Sequence, residues 1–427
     1  METPNAVEKR INKYSKKLEK YPKLQKMYGN CCRHTIETAL VKCEDDSWFV
    51  LTGDIPAMWL RDSTAQVTHY IPLAKDARMA EILEGVIKKQ FKYIKMDSYA
   101  NAFNETASGE GHPNDIPKND PWIHERKYEV DSLCYPIRLL YMYWKESGKD
   151  DIIKEELPEI ARIIVEQWKV EQHHMEKSPY RFTRPDVDPQ RPWDSIYNNG
   201  MGNPVTYTGM TWSGFRPSDD GCQYGYLIAA EMFAVVVLSY MSEMLKAVCN
   251  NTELAAECEK LRDEIDSGIK KYGIVENEKY GKIYACETDG RGNYSMIDDA
   301  NIPSLLSCPY IGYCDINDEI YQNTRKFLLS RDNEFYFEGK YAKGIGSRHT
   351  PKNYVWHMAL AMQGLTALAA EEKREMLDMI VNTDGGTGYL HEGFNVDNPN
   401  EFTREWFTWP DSLFAEFIEK CVDENII

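Results

Sequence analysis

The chain has 427 residues, 42% of them hydrophobic and 28% charged, which excludes a disordered polymer and describes a globular protein. Fifty Lys+Arg against 68 Asp+Glu leave a net charge of −18. That charge disfavours nucleic acid and anionic lipid as partners and suits a neutral or cationic ligand.

Residues 1–30 open with Met-Glu-Thr-Pro and continue as a Lys/Glu-rich amphipathic stretch without the apolar centre of a signal peptide. Eleven cysteines, an odd number without a CxxC pair, read as reduced thiols, so a cytoplasmic home is expected. Apolar periodicity predicts helices near 5–20, 23–43, 60–73, 76–97, 126–146, 150–176, 222–247, 252–271, 317–329, 352–370, 372–382 and 408–422. Short strands are expected in the loops, at 48–52 and 282–286. About a dozen helices in antiparallel pairs, with polar and aromatic loops between them and no fixed-period repeat, point to an all-α chain folded as one (α/α)6 barrel over 1–427. The run 227–238 is the most apolar in the chain. It carries Glu231 and is too short to cross a bilayer.

Four loops carry candidate chemistry. Gly53-Asp-Ile-Pro-Ala-Met-Trp-Leu-Arg-Asp-Ser63 groups Asp54, Trp59, Arg61 and Asp62 at a helix start. This is either a helix-start ion pair, or a set that holds vicinal sugar hydroxyls while Trp59 stacks on the C–H face. Tyr128-Glu-Val-Asp131, Asp186-Val-Asp188 and Asn198-Asn-Gly200 are written in the same polar style. The loop Thr211–Tyr226 sets Asp219 and Asp220 among Trp212, Phe215, Tyr224 and Tyr226, with Gly214, Gly221 and Gly225 between them. One acid could cap a helix starting near 221. An acid desolvated by those aromatics, with a like charge beside it, would instead have a raised pKa and act as a proton donor.

Asp298-Asp-Ala-Asn301 reads as a turn into Ile302–Leu306. Gly346–His357 contains Arg348, His349 and His357, which either bind substrate or, for His357, fill the core. In Gly385–Phe394 the glycines permit tight turns that either aim Glu392 into a cleft or leave it an incidental acid on a surface turn. His391-Glu392 is not an HExxH zinc site, since Asn395 stands where the second histidine would be. No phosphate loop, complete dinucleotide fingerprint, GxSxG elbow or metal-ligand spacing is present, so neither cofactor nor metal is expected.

Together Gly53–Ser63, Phe215-Arg-Pro-Ser-Asp-Asp220, Asp298–Ser304 and Tyr389-Leu-His-Glu-Gly-Phe394 resemble glycoside hydrolase family 125, exo-acting α-1,6-mannosidases with an (α/α)6 barrel. The resemblance runs from about residue 20 to 420. It implies inverting, metal-independent release of a terminal mannose from an N-glycan or mannan type of oligosaccharide. It places the general acid on Asp220 and the general base on Glu392. Sugar-binding roles are expected for Asp54, Trp59, Arg61, Asp62, Trp212, Asn301, Arg348 and His349. Inversion needs the two carboxyl groups about 6.5–9.5 Å apart, to seat a water. His391 or Arg348 is expected to help keep Glu392 charged. The competing readings are a glucoamylase- or trehalase-like barrel, a sugar 2-epimerase working through His349 and His357, and a non-catalytic glycan binder. A monomer is the default.

Overall fold

The computed structural model describes residues 1–427. Its helices alternate between two concentric rings. The outer ring is Pro22–His34, Ala77–Met96, Asp151–Glu171, Thr252–Tyr272, Glu319–Leu328 and Ala370–Asn382. The inner ring is Leu60–Thr68, Val130–Ser147, Ile228–Ala247, the short turns Leu305–Ser307 and Cys308–Ile311, His357–Leu365 and Thr408–Asp423. Neighbouring inner helices pack on one another, and Thr408–Asp423 closes back onto Leu60–Thr68. The chain is an (α/α)6 barrel, with Asn5–Lys17 added outside against Pro22–His34.

The pattern of apolar residues decides which ring each helix joins. Asp151–Glu171 buries Ile152, Ile153, Leu157, Ile160 and Ile164 along one stripe and leaves its charged face to water, as an outer helix must. Leu60–Thr68 has no outward face: all nine of its residues are buried, polar ones included. Ile228–Ala247 is long and apolar enough to cross a membrane, but 78% of that stretch is buried inside the barrel. Below the mouth the barrel axis is filled. Tyr135 packs edge-on against Phe233 and Trp409, three side chains from three inner helices. Any opening at the top therefore ends blind.

Five of the inner helices share one entry device. Each begins directly after an extended residue (Trp59, Glu129, Leu227, Trp356 or Phe407) that offers no side-chain cap. Their first-turn N–H groups and the positive ends of their dipoles face the same end of the barrel. Four of these helices carry an acid in the first turn: Asp62, Asp131, Glu231 and Asp411. Three small antiparallel sheets brace these entries: 58–59 with 102–103 and 123–125, 226–227 with 287–288 and 294–295, and 354–356 with 393–395 and 398–402.

Several boundaries differ from expectation. The segment 23–43 is helical only to His34, then passes through a π turn into the strand Leu40–Lys42. The helix expected from 222 starts at Ile228, so neither Asp219 nor Asp220 caps it. The inner element at 305–311 is too short to show periodicity and reads as a turn in the sequence. The strands at Trp48–Val50 and Gly281–Tyr284 fall where expected. All eleven cysteines are free.

Candidate active site

At the end of the barrel where the uncapped inner helices start lies a pocket with about 420 Å³ of space between atoms, part of it open to solvent. It is lined by Thr52, Ile55, Trp59, Arg61, Asp62, Pro217, Ser218, Asp219, Asn301, His349, Trp356, Glu392, Arg404 and Phe407. Of the expected site residues, Trp59, Arg61, Asp62, Asn301, His349 and Glu392 meet here, although they are scattered over more than 300 positions of sequence.

The first correction concerns the acid pair. The turn at 215–221 is closed by Arg216 N donating to Asp220 O at 2.8 Å and by Asp219 N donating to Arg216 O at 2.9 Å. To complete it Asp219 adopts a left-handed backbone, φ 63°, which Asp tolerates better than most residues. The kink sends the two neighbouring side chains apart. Asp219 enters the pocket, with its side chain 23% exposed. Asp220 is 1% exposed and does not line the pocket. Its carboxylate is 3.2 Å from Arg348 Nε and 3.2 Å from His349 Nδ1.

The expected rise in the pKa of Asp220 is also corrected. Burial pushes it up, but the hydrogen bond and charge of His349, with Arg348, outweigh burial and hold it below the ordinary carboxylate range. His349 responds in the opposite sense. Burial lowers it, yet Asp220 pulls it up to about 8, so it brings a positive charge to the pocket wall.

The aromatics expected around the acid do other work. Trp212 stacks on His174, ring centroids 3.6 Å apart, and is absent from the pocket. Its indole fills the space where a Cβ on Gly225 would lie, which accounts for that glycine. Phe215 packs against Phe182, and the Tyr224 N–H donates to Glu287. Arg348 is likewise not a lining residue. Besides Asp220 it donates to Gly221 O at 2.7 Å, and so clamps the turn from behind. Asp54 sits at the rim, ion-paired to Arg404 and outside the pocket lining.

Arg61 is the centre of one wall. Its guanidinium is 2% exposed and meets Glu129 Oε2 at 2.5 Å, Asp131 Oδ2 at 3.2 Å, Asp219 Oδ1 at 3.1 Å and Asp62 Oδ2 at 3.4 Å. Four acids around one cation are not balanced, and several are pushed toward neutrality. Burial, reduced by Arg61, drives Asp62 up to about 6 and Asp131 up to about 6, and it drives Glu129 well above the usual glutamate range. Asp219 goes the other way. Burial raises it, but Arg61 and Lys127 outweigh burial and hold it low. Lys127 also donates to the Asp219 carbonyl at 2.8 Å, and Asn101 Nδ2 is 3.3 Å from Asp219 Oδ1.

Glu392 also lines the pocket and is 8% exposed. Thr403 Oγ1 donates to its Oε2 at 3.1 Å and the Arg404 guanidinium lies 4.0 Å from Oε1. The expected support from His391 and Arg348 is replaced by these two residues. His391 stacks on Phe402 and its Nδ1 meets Arg404 O at 3.0 Å, while Arg348 serves Asp220. Arg404 and Phe407 are pocket residues the sequence reading did not single out. Their only signal is the dense Thr403-Arg-Glu-Trp-Phe407 run directly before an inner helix. Gly53, at φ 59°, lets this run come close: a Cβ there would stand 2.1 Å from Trp406 O.

The remaining candidates are structural. Asn301 Nδ2 donates to Pro217 O at 2.6 Å and Asp299 accepts from Ser218, so the 298–301 segment supports the acid turn. Asp298 accepts from Leu305 N and starts the short inner helix. Asp186, Asp188 and Asn198–Gly200 lie outside the pocket lining. His357 is fully buried against His391 and Thr383, with burial lowering it to about 3. His349 and His357 thus do not face each other across the pocket, and the two-histidine epimerase reading loses its geometry.

Comparisons with known proteins show the family. The family model described as metal-independent α-mannosidase (GH125) matches residues 21–419. The meiotically up-regulated gene 157 protein of Schizosaccharomyces pombe is 36% identical over 436 residues, covering 97% of this chain and 85% of the yeast protein. A solved metal-independent α-mannosidase of Streptococcus pneumoniae, in a non-productive substrate complex with α-1,6-mannobiose, matches with TM-score 0.95 and 45% identity over 99% of both chains. A bacterial glucoamylase complexed with acarbose, 13% identical with TM-score 0.58 over 86% of this chain and 49% of its own, shares the fold alone. The chain belongs to glycoside hydrolase family 125 and is a metal-independent α-mannosidase.

Proposed function

We propose that the enzyme removes single mannose units from the non-reducing ends of α-1,6-linked mannosides with inversion, using Asp219 as general acid and Glu392 as general base. The observation that carries this reading is the blind pocket into which both carboxyl groups face. A pocket with a filled floor admits a chain end and rejects an internal residue, which supports exo action. The α-1,6 linkage rests on the mannobiose bound by the pneumococcal relative.

In this reading the terminal mannose lies over Trp59, Trp356 and Phe407, with its C–H faces on the rings. Asp219 protonates the glycosidic oxygen. Glu392 takes a proton from the water that attacks C1 on the other face, and the C1–O bond to the leaving sugar breaks. The charge of His349 offsets part of the negative charge of the acids around it. A cytoplasmic location fits the eleven free thiols, and the substrate is an N-glycan or mannan type of oligosaccharide.

The test is a time course on α-1,2-, α-1,3- and α-1,6-mannobiose. The α-1,6 isomer is expected to be cleaved at least about 100-fold faster than the others, a difference within reach of a few buried hydrogen bonds. Comparable or faster cleavage of another isomer would overturn the linkage assignment. Activity is expected to survive excess EDTA.

A further inference from the structure

Asp219 needs a proton to work as an acid, yet Arg61 and Lys127 favour its ionised form. The residue best placed to supply that proton is Glu129. It precedes the first turn of the helix Val130–Ser147 and is 1% exposed. Its Oε2 is fully engaged, 2.5 Å from Arg61 NH1 and accepting from Ser132 Oγ at 2.8 Å. Its Oε1 is buried with no donor in reach, and its carboxyl shares the Arg61 guanidinium with that of Asp219, Glu129 on NH1 and Asp219 on NH2 at 3.1 Å. Carboxyl groups crowded onto one guanidinium repel one another, so that one of them keeps a proton.

We infer that Glu129 is a positioning residue and proton store for Asp219, holding in the free enzyme the proton that Asp219 later hands to the glycosidic oxygen. This rests on the assignment of Asp219 as the acid. The proton moves from Glu129 to Asp219 and then from Asp219 to the leaving oxygen as the C1–O bond breaks. The attacking water gives its own proton to Glu392. Solvent then takes that proton from Glu392 and returns one to the carboxyl pair, so the cycle closes. The charges facing Glu129 suit the role. Arg61 and Asp62 come from Leu60–Thr68, Asp219 from the 215–221 turn and Asp131 from its own helix. Burial and the negative neighbours favour a neutral Glu129, and the single guanidinium limits that preference enough for the proton to leave.

The experiment compares two substrates. α-1,6-Mannobiose needs a proton on its leaving oxygen, whereas 2,4-dinitrophenyl α-mannoside does not. Glu129→Gln is expected to lower kcat on mannobiose about 100-fold and on the dinitrophenyl substrate no more than about threefold, the signature of a lost proton. Equal losses on both substrates would show a merely structural glutamate, and no loss on either would also overturn the inference. Asp219→Asn, run in parallel, separates the two assignments. If it slows both substrates alike, Asp219 is not the acid, whatever Glu129 does. Ser132→Ala is a milder second probe that keeps the carboxyl. It removes a hydrogen bond that favours ionised Glu129, so the basic limb of kcat/KM should move to higher pH by about half a unit or more. An unmoved limb would contradict the role.

Discussion

The two walls of the pocket are built on opposite electrostatic plans. On the Asp219 side one buried guanidinium gathers four carboxyls, with a lysine behind them. On the Glu392 side a single threonine hydroxyl and a more distant arginine attend the carboxylate. The crowded wall has more acid than it can keep ionised and so retains protons. The sparse wall sets its carboxylate beside few other charges. Acid and base therefore differ by their surroundings rather than by residue type, which is how two carboxyl groups acquire opposite duties.

The contrast is broken most severely by removing the reacting groups. Glu392→Gln and Asp219→Asn should each lower kcat on mannobiose by about 10⁴-fold with the thermal midpoint kept within a few degrees, measured by steady-state kinetics and calorimetry. Asp220→Asn should cost only about 10- to 100-fold, since that carboxylate holds Arg348 and His349 in place rather than touching the sugar. A ranking with Asp220 as costly as Asp219 would mean the turn has been misjudged.

Next in size is Arg61→Met, which leaves the crowded wall without its cation. A loss of about 3–5 kcal/mol is expected in urea unfolding near pH 7.5, because carboxylates are then buried without a partner. The loss should shrink toward pH 5. Asp62 and Asp131 already titrate near 6 in the parent and would take up protons more readily once the arginine is gone. A penalty that grew on acidification would refute this account of the cluster.

The smallest effect concerns His349. Its folded pKa of about 8 lies above the unfolded value of about 6.5, so its pairing with Asp220 adds stability that is complete below about 6.5 and lost as pH rises through about 8. In Asp220→Asn the His349 ring resonances should titrate at least about one unit lower in NMR, and that stretch of the stability curve should flatten.

Much of this was legible before the structure. Helical periodicity identified outer helices such as Asp151–Glu171, because a one-sided apolar stripe survives in sequence. The short inner turn at 305–311 left no such stripe. Trp59, Arg61 and Asp62 could be read as a polar-aromatic set at a helix start, with an ion pair as the competing use, whereas the roles of His349 and Glu392 came from the family resemblance. The choice between Asp219 and Asp220 could not be read, since it depends on one left-handed φ at a residue that is not glycine. Trp212 was misleading for a related reason. A tryptophan in a glycine-rich loop looks like a sugar platform until the Gly225 contact shows it to be core. Glu129 and Asp131 were visible as a segment, but their convergence on Arg61 is a tertiary fact.

All of this depends on an acid and a base that act on opposite faces of C1 with a water between. The most direct measurement follows the anomeric proton by NMR during the first turnovers of α-1,6-mannobiose, before mutarotation. β-Mannose appearing first is the predicted result, and α-mannose appearing first would contradict the account.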